Sequence, residues 1–175
     1  MRRRLIVCAL LAVAALGCAT YTGRMTATRD FYYRGEYDQA LAALDELVEG
    51  AGDNDRALYL LERGKVNLAA GRYDSAIVDL QAAEGRFRDI EGTISVSGQL
   101  KSYALHAGFD DYQAEEHEKI LINAYLMLAY WLKGDLQGAY VERNRTITRL
   151  NQFLDGVPLE DRRRLEVPFA RYLAA

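Results

Sequence analysis

Cysteine, proline and histidine are scarce in this 175-residue chain, which contains two of each. Two prolines leave few interruptions to helices. His106 and His117 do not have the spacing of metal ligands, and the sequence contains no His-Glu-x-x-His motif. It also lacks a nucleophile elbow, a glycine-rich phosphate loop and a dinucleotide-binding fingerprint. We therefore expect no catalytic residues, no metal and no cofactor.

An acidic run surrounds His117, with Asp110 and Asp111 before it and Glu115, Glu116 and Glu118 close to it. Such a run could bind a hard cation, but it lacks the alternating ligands and the central glycine of an EF-hand loop. Acidic side chains also occur where the N-terminus of a helix faces solvent, because the helix dipole favours them there. We favour this second interpretation.

A long apolar run is absent as well. The two longest, Leu5–Leu16 and Ile120–Leu132, have 12 and 13 residues, whereas a membrane-spanning helix needs about 20. The first follows three arginines and ends in Ala15-Leu16-Gly17-Cys18, which is typical of a signal peptide. This ending resembles the lipobox of bacterial lipoproteins, in which cleavage occurs just before the cysteine and the cysteine is diacylated.

Cys18 is the predicted lipidation site. Cys8 lies in the segment that would be removed, so Cys18 would have no partner for an internal disulfide. An ordinary signal peptide that happens to contain two cysteines is the alternative. The sorting rules of such lipoproteins imply, from Ala19 after the cysteine, an anchor in the outer membrane of a Gram-negative cell, on the periplasmic face. Two or three acyl chains are sufficient for stable anchoring.

The charge balance restricts the partners further. The whole chain has a net charge of −3, and removal of residues 1–17 with their three arginines leaves 19 basic and 25 acidic residues. A net charge of −6 argues against a nucleic-acid partner and against electrostatic attachment to anionic lipids. We expect a protein or peptide of the cell envelope as partner, with the N-terminal lipid as the contact to the membrane.

A repeated phrase, Gly-x-Tyr-Asp-x-Ala-x-x-x-Leu, begins at Gly35 and again at Gly71, 36 residues later. A weaker copy begins at Gly134, and Gly64 precedes the second copy by seven residues. The phrase resembles tetratricopeptide repeats, whose period is about 34 residues. The resemblance implies an all-α fold in which helix-turn-helix hairpins stack into an α-solenoid with a concave surface.

The repeats and the glycine-rich stretches suggest the following boundaries: a signal peptide at 1–17, a lipidated tether at 18–26, two tetratricopeptide-like repeats at 27–87, an irregular insertion at 88–113, a third helical hairpin at 114–155 and the start of a further repeat at 156–175. Within the insertion, 92–98 could form a short extended segment or a loop. Pro168 is expected to begin a helix. Because no hairpin partner follows that helix, we expect the complete gene product to continue into further repeats.

In the third hairpin, Ile120–Leu132 is apolar on all sides and is predicted to be a buried helix that turns at Gly134. Arg143 occupies the repeat position at which the earlier copies have leucine. One explanation is an internal ion-pair network with Glu142 or with the acids at 115–118. The other is a groove beneath the insertion, in which Arg143 and Arg145 bind a carboxylate-bearing ligand in bidentate geometry.

A second resemblance covers about residues 101–173. Tyr112, Glu118–Asn123, Gly134-Asp135 and Val141–Arg143 are similar to segments of a little-characterised family of bacterial repeat lipoproteins, which brings no established activity. Because an insertion of this length is uncommon unless functional or disordered, we expect it to form the working surface together with the third hairpin. Tyr112, Arg143 and Arg145 are then predicted to bind the partner. The function we expect is a non-enzymatic scaffold or adaptor. An accessory lipoprotein that activates or pilots an envelope machine (a peptidoglycan synthase, a secretin or a polysaccharide exporter) is the first alternative, and a small-ligand receptor or enzyme is the second.

Overall fold

The fold is all-α. The structure, a computed structural model, describes residues 21–96, 115–155, 157–158, 161–162 and 167–175. Over these ranges every regular element is a helix. The helices are α1 (Tyr21–Arg24), α2 (Thr26–Tyr33), α3 (Tyr37–Gly50), α4 (Asp53–Ala69), α5 (Tyr73–Val96), α6 (Glu116–Lys133), α7 (Leu136–Asp155) and α8 (Pro168–Ala174).

Three glycines form the turns of three helical hairpins. Gly35 connects α2 to α3, Gly71 connects α4 to α5, and Gly134 connects α6 to α7, with φ angles of 74°, 74° and 88°. A left-handed backbone of this kind favours glycine, because a Cβ atom would clash there. The hairpin turns predicted from the repeated phrase are confirmed.

The helices pack mainly against their neighbours in sequence. Each hairpin packs on the next, α8 packs on both helices of the third hairpin, and α4 also touches α6. The core that joins the second hairpin to the third is apolar and includes Leu60, Leu80, Phe87, Ile122 and Leu126. Burial of such side chains contributes about 1.5–3 kcal/mol each, so this contact surface holds the second and third hairpins together.

Gly64 allows α4 and α5 to approach closely. A Cβ atom at this position would lie 2.8 Å from Cγ of Leu80, and Leu80 is fully buried. A larger residue at this position would force the two helices apart. The close approach also brings the residues next to Gly64 and Leu80 into contact.

The apolar helix α6 begins with a capping box between Glu115 and Glu118. One side of it is buried from Ile120 to Ala129, whereas Leu121, Tyr125 and Leu128 are partly exposed. At its end, Trp131 and Leu132 are 59% and 49% exposed. The predicted buried helix is therefore confirmed for one side and not for the whole circumference. Neither α6 nor any other described helix is both long enough and apolar enough to cross a bilayer.

Helix α5 extends into the segment predicted to be an insertion. It continues through residue 88 to Val96, so an extended segment is wrong for 92–96. Gly92 costs the helix only about 1 kcal/mol, which is too little to end a helix of this length. Residues 97–113 lie outside the described residues, as do the predicted signal peptide and the first part of the predicted tether. Helix α8 begins at Pro168 as predicted.

Candidate functional site

An apolar groove of about 590 Å³ opens along the first helices of the hairpins. We call it the tyrosine groove. It is lined by residues from α1, α2, α4 and α6, among them Tyr21, Tyr32, Tyr125, Leu128 and Leu132. Several of these side chains are partly exposed although they are large and apolar. Tyrosine and leucine in an open concave surface are suited to contact with another protein, because they supply apolar area together with a hydrogen-bonding hydroxyl.

Thr28 also lines the tyrosine groove. It is 2% exposed, and its hydroxyl has no hydrogen-bond partner within the described part of the chain. A buried polar group without a partner costs about 1–3 kcal/mol.

A buried acidic residue, Asp79, lies between the two helices of the second hairpin. Arg63 donates to it through Nε at 3.0 Å and through Nη2 at 2.6 Å, which is the bidentate geometry of an arginine–carboxylate pair. Asn67 donates at 2.9 Å, and the remaining Nη1 of Arg63 donates to Asp45 at 2.7 Å. We call Asp79, Arg63, Asn67 and Asp45 the Asp79 cluster. Every nitrogen of its guanidinium group makes a hydrogen bond.

A second buried cluster joins α5, α6 and α7. The Asn123 side-chain amide donates to two carboxylates, to Glu142 at 2.9 Å and to Glu84 at 3.2 Å. Arg145 donates to Glu142 at 2.9 Å, and Arg149 donates to Glu84 at 3.1 Å. Both glutamates are nearly inaccessible, at 2% and 6% exposure. We call these five residues the Glu142 cluster.

The Glu142 cluster brings two buried carboxylates close together, whereas the Asp79 cluster has one buried carboxylate. Burial raises the pKa of the Glu142 carboxyl above its ordinary value of 4.5. Arg145 and the amide of Asn123 act in the opposite direction, while the neighbouring Glu84 raises the pKa further. The side-chain oxygen of Asn123 has no hydrogen-bond partner in the ranges that the structure describes.

Above this cluster lies a second groove, of about 530 Å³, between α5 and α7. We call it the arginine groove. All but one of its lining residues are polar or charged, and they are Glu84, Arg88, Val141, Asn144, Arg145, Thr148, Arg149 and Gln152. The arginines at 88 and 145 are 65% and 53% exposed, whereas the carboxylates that they approach are buried. The groove therefore presents guanidinium groups to solvent.

The two predicted arginines of α7 lie on different sides of the helix. Residues two positions apart are rotated by about 200° on an α-helix, and here Arg145 lines the arginine groove while Arg143 lies beside Trp131. The ion pair expected for Arg143 is made by Arg145 instead. Arg143 itself reaches only the backbone oxygen of Ala175, at 3.5 Å, among the residues described. In the described part of the chain, Arg143 and Arg145 line different grooves, and the insertion above them lies outside the described residues.

The reason is which residues of α7 face the core. The buried residues of this helix include Glu142, Thr146, Leu150 and Leu154, which are four positions apart. Arg143 follows the inward residue and is therefore turned partly to solvent. The residue in the core is Glu142, at the position of the repeat that Asp79 occupies in the second hairpin.

No family model, curated protein or solved structure matches this chain.

Two of the predicted site residues, Cys18 and Tyr112, lie outside the described residues. Across the described part of the chain, no group of three His, Cys, Asp or Glu side chains is arranged to hold a metal ion. Sequence reasoning missed the role of Asn123, although a polar residue inside a 13-residue apolar run was a sign of a buried hydrogen bond. It also missed Glu84 and Arg149, because their contacts join helices that are far apart in sequence.

Proposed function

We propose that the protein is a lipid-anchored scaffold of the Gram-negative envelope, built as a tetratricopeptide-like α-solenoid, and that it binds a segment of an envelope protein without catalysing a reaction. Anchored through Cys18 on the periplasmic face of the outer membrane, it holds its partner close to that membrane.

The observation that carries this proposal is the tyrosine groove. Consecutive hairpins contribute their first helices to one open apolar surface, which is the arrangement expected when helical repeats stack side by side. Tyr21, Tyr32 and Leu132 are 39%, 37% and 49% exposed there. Such a patch on a chain with a net charge of −3 suits a partner segment with apolar anchors.

The position of the partner can be tested by photocrosslinking in cells. A photoreactive amino acid is placed at Tyr32 or Leu132, inside the groove, and at Val78 as a control. Val78 is 64% exposed on α5 and does not line the tyrosine groove. We expect the same partner band from both groove positions and none from the control. Equal crosslinking from all three positions, or crosslinking from the control alone, would contradict the proposal.

The anchor requires a separate test. Cys18→Ser should abolish incorporation of a palmitate analogue, because the serine hydroxyl cannot form the thioether to lipid. Cys8→Ser is the matched control: it changes a cysteine in the segment predicted to be removed, so the label should remain. If the wild-type protein takes up no label, the lipid anchor is disproved and the scaffold would have to reach the membrane in another way.

A further inference from the structure

We propose that the arginine groove is a second binding site, which takes an acidic segment of the partner in extended conformation. This inference rests on the proposed scaffold function, because it assumes a protein partner. It concerns a different surface from the tyrosine groove, formed by α5 and α7 rather than by the first helices of the hairpins.

Within the described ranges, most N–H donors of this groove have no hydrogen-bond partner. A guanidinium group has five N–H donors. Among the described residues, Arg145 and Arg149 each make one hydrogen bond through one terminal nitrogen, and Arg88 approaches Glu84 only to 3.9 Å. Arg63, by contrast, uses all three of its nitrogens within its own cluster. The groove arginines therefore have N–H donors, unused among the described residues, with which they can bind the carboxylate of a ligand.

The distribution of charge in the groove also favours an acidic ligand. Its three arginines are balanced by two glutamates, Glu84 and Glu142, whose side chains are only 7% and 3% exposed. A ligand in the groove would therefore meet guanidinium groups first. Because the whole chain has a net charge of −3, an acidic segment would be repelled by much of the surface and attracted at this place.

The shape of the groove favours a peptide over a single small anion. Its α7 wall runs from Val141 to Gln152 with lining residues three and four positions apart, so they share one face of the helix. Eleven steps of 1.5 Å give a length of about 16 Å, which about five residues of extended peptide would cover. Asn144, Thr148 and Gln152 line the same wall as Arg145 and Arg149. Their amide and hydroxyl groups can hydrogen-bond to the backbone of such a segment.

The test measures binding of two labelled peptides to the full chain in detergent solution by fluorescence anisotropy. One peptide contains five consecutive glutamates between glycines, and the other has glutamines in their place. We expect the glutamate peptide to bind at least about tenfold more tightly, and its binding to weaken as salt is added, because exposed charges are screened.

Two variants connect the binding to the groove. The double variant Arg88→Gln with Arg145→Gln removes two guanidinium groups, and Asn144→Glu adds a negative charge at an exposed position that breaks no ion pair. Each should weaken binding of the glutamate peptide about tenfold or more. Gln137→Glu is the control, since it makes the same change of charge at an exposed position of α7 outside the groove, and it should stay within about twofold of the wild type. Circular dichroism melting confirms that the variants are folded.

Several results would overturn this proposal. They are equal binding of the two peptides, unchanged binding to Asn144→Glu, an equal loss in Gln137→Glu, and displacement of the peptide by inorganic phosphate at a matched concentration of charge. Phosphate displacement would indicate a site for any small anion. None of these results affects crosslinking from Tyr32 and Leu132, so failure of the arginine groove and failure of the scaffold function can be distinguished.

Discussion

Asp79 and Glu142 occupy the same place in successive hairpins, eight residues after the turn glycine, and both are buried, yet their surroundings differ. Asp79 accepts a bidentate arginine and an amide from the opposite helix of its own hairpin. Glu142 shares the amide of Asn123 with a second buried carboxylate, Glu84. One position of the repeat therefore supports two kinds of polar cluster.

The difference indicates which of the two clusters can bind a ligand in addition to stabilising the fold. In the Asp79 cluster the arginine uses three of its five N–H donors, one on each nitrogen, for carboxylates of its own chain. In the Glu142 cluster the arginines lie at the rim, above the carboxylates, with most of their donors free within the described structure. We infer that the first cluster is structural and that the second both joins three helices and supplies the arginine groove.

The largest loss of stability is expected when the Asp79 cluster is broken. Arg63→Ala would leave Asp79, which is 4% exposed, with Asn67 as its remaining partner, and should lower the free energy of unfolding by about 3–5 kcal/mol. Urea denaturation measures this loss. Arg72→Ala is the control, because Arg72 forms an exposed pair with Asp38, and it should cost less than about 1 kcal/mol. Similar losses in the two variants would show that the buried pair has no special role.

The close approach of α4 and α5 can be tested next. Gly64→Ala would place a Cβ atom 2.8 Å from Cγ of Leu80 and separate Arg63 from Asp79, for a loss of about 1–3 kcal/mol. Gly85→Ala, in α5, meets no atom within 4 Å and should stabilise the helix by up to about 1 kcal/mol. Thermal unfolding of the two variants should therefore shift in opposite directions. A stabilised Gly64→Ala protein would refute the account of that glycine.

A smaller difference should separate the two arginines of α7. Arg145→Ala removes the ion pair to buried Glu142 and should cost about 1–2 kcal/mol, since Arg145 itself is half exposed. Arg143→Ala removes only a 3.5 Å contact to a backbone oxygen and should stay within about 0.5 kcal/mol. Chemical denaturation of both variants decides. A larger loss of stability for Arg143→Ala would indicate that Arg143, and not Arg145, forms the buried ion pair.

The smallest effect concerns pH. Because burial raises the pKa of folded Glu142 above its ordinary value of 4.5, the folded state holds this proton more tightly than the unfolded state. Its contribution to stability is present below pH 4.5 and is lost as the pH rises through the folded pKa. Glu142→Gln should remove this decline, with a change of at most about 1 kcal/mol at pH 7.

The measurement is the difference in unfolding free energy between Glu142→Gln and the wild type, followed from pH 4.5 to neutral. As the pH rises, the free energy of unfolding of the variant should increase relative to that of the wild type, and this difference should then become constant. Asp79→Asn provides the comparison from the other cluster, where loss of the bidentate pair with Arg63 should destabilise the protein at neutral pH. A pH-independent difference for Glu142→Gln would argue against the raised pKa.

Local features of the sequence determined the helices and their turns. A left-handed turn that favours glycine depends on the residues next to it, so the phrases at Gly35, Gly71 and Gly134 were sufficient to place the hairpins. The same holds for the start of α8 at Pro168 and for most of the buried helix α6. The end of α5 was misjudged, because glycines within a helix weaken it without ending it.

Only the tertiary structure decided which side of each helix faces the core. In α7 the buried side contains Glu142, Thr146, Leu150 and Leu154, which pack against neighbouring helices, whereas Arg143 is only partly buried. The contacts of Glu84 with Asn123 and Arg149 span 39 and 65 residues. No local pattern records such contacts, because side chains so far apart in sequence meet only after the hairpins have packed together.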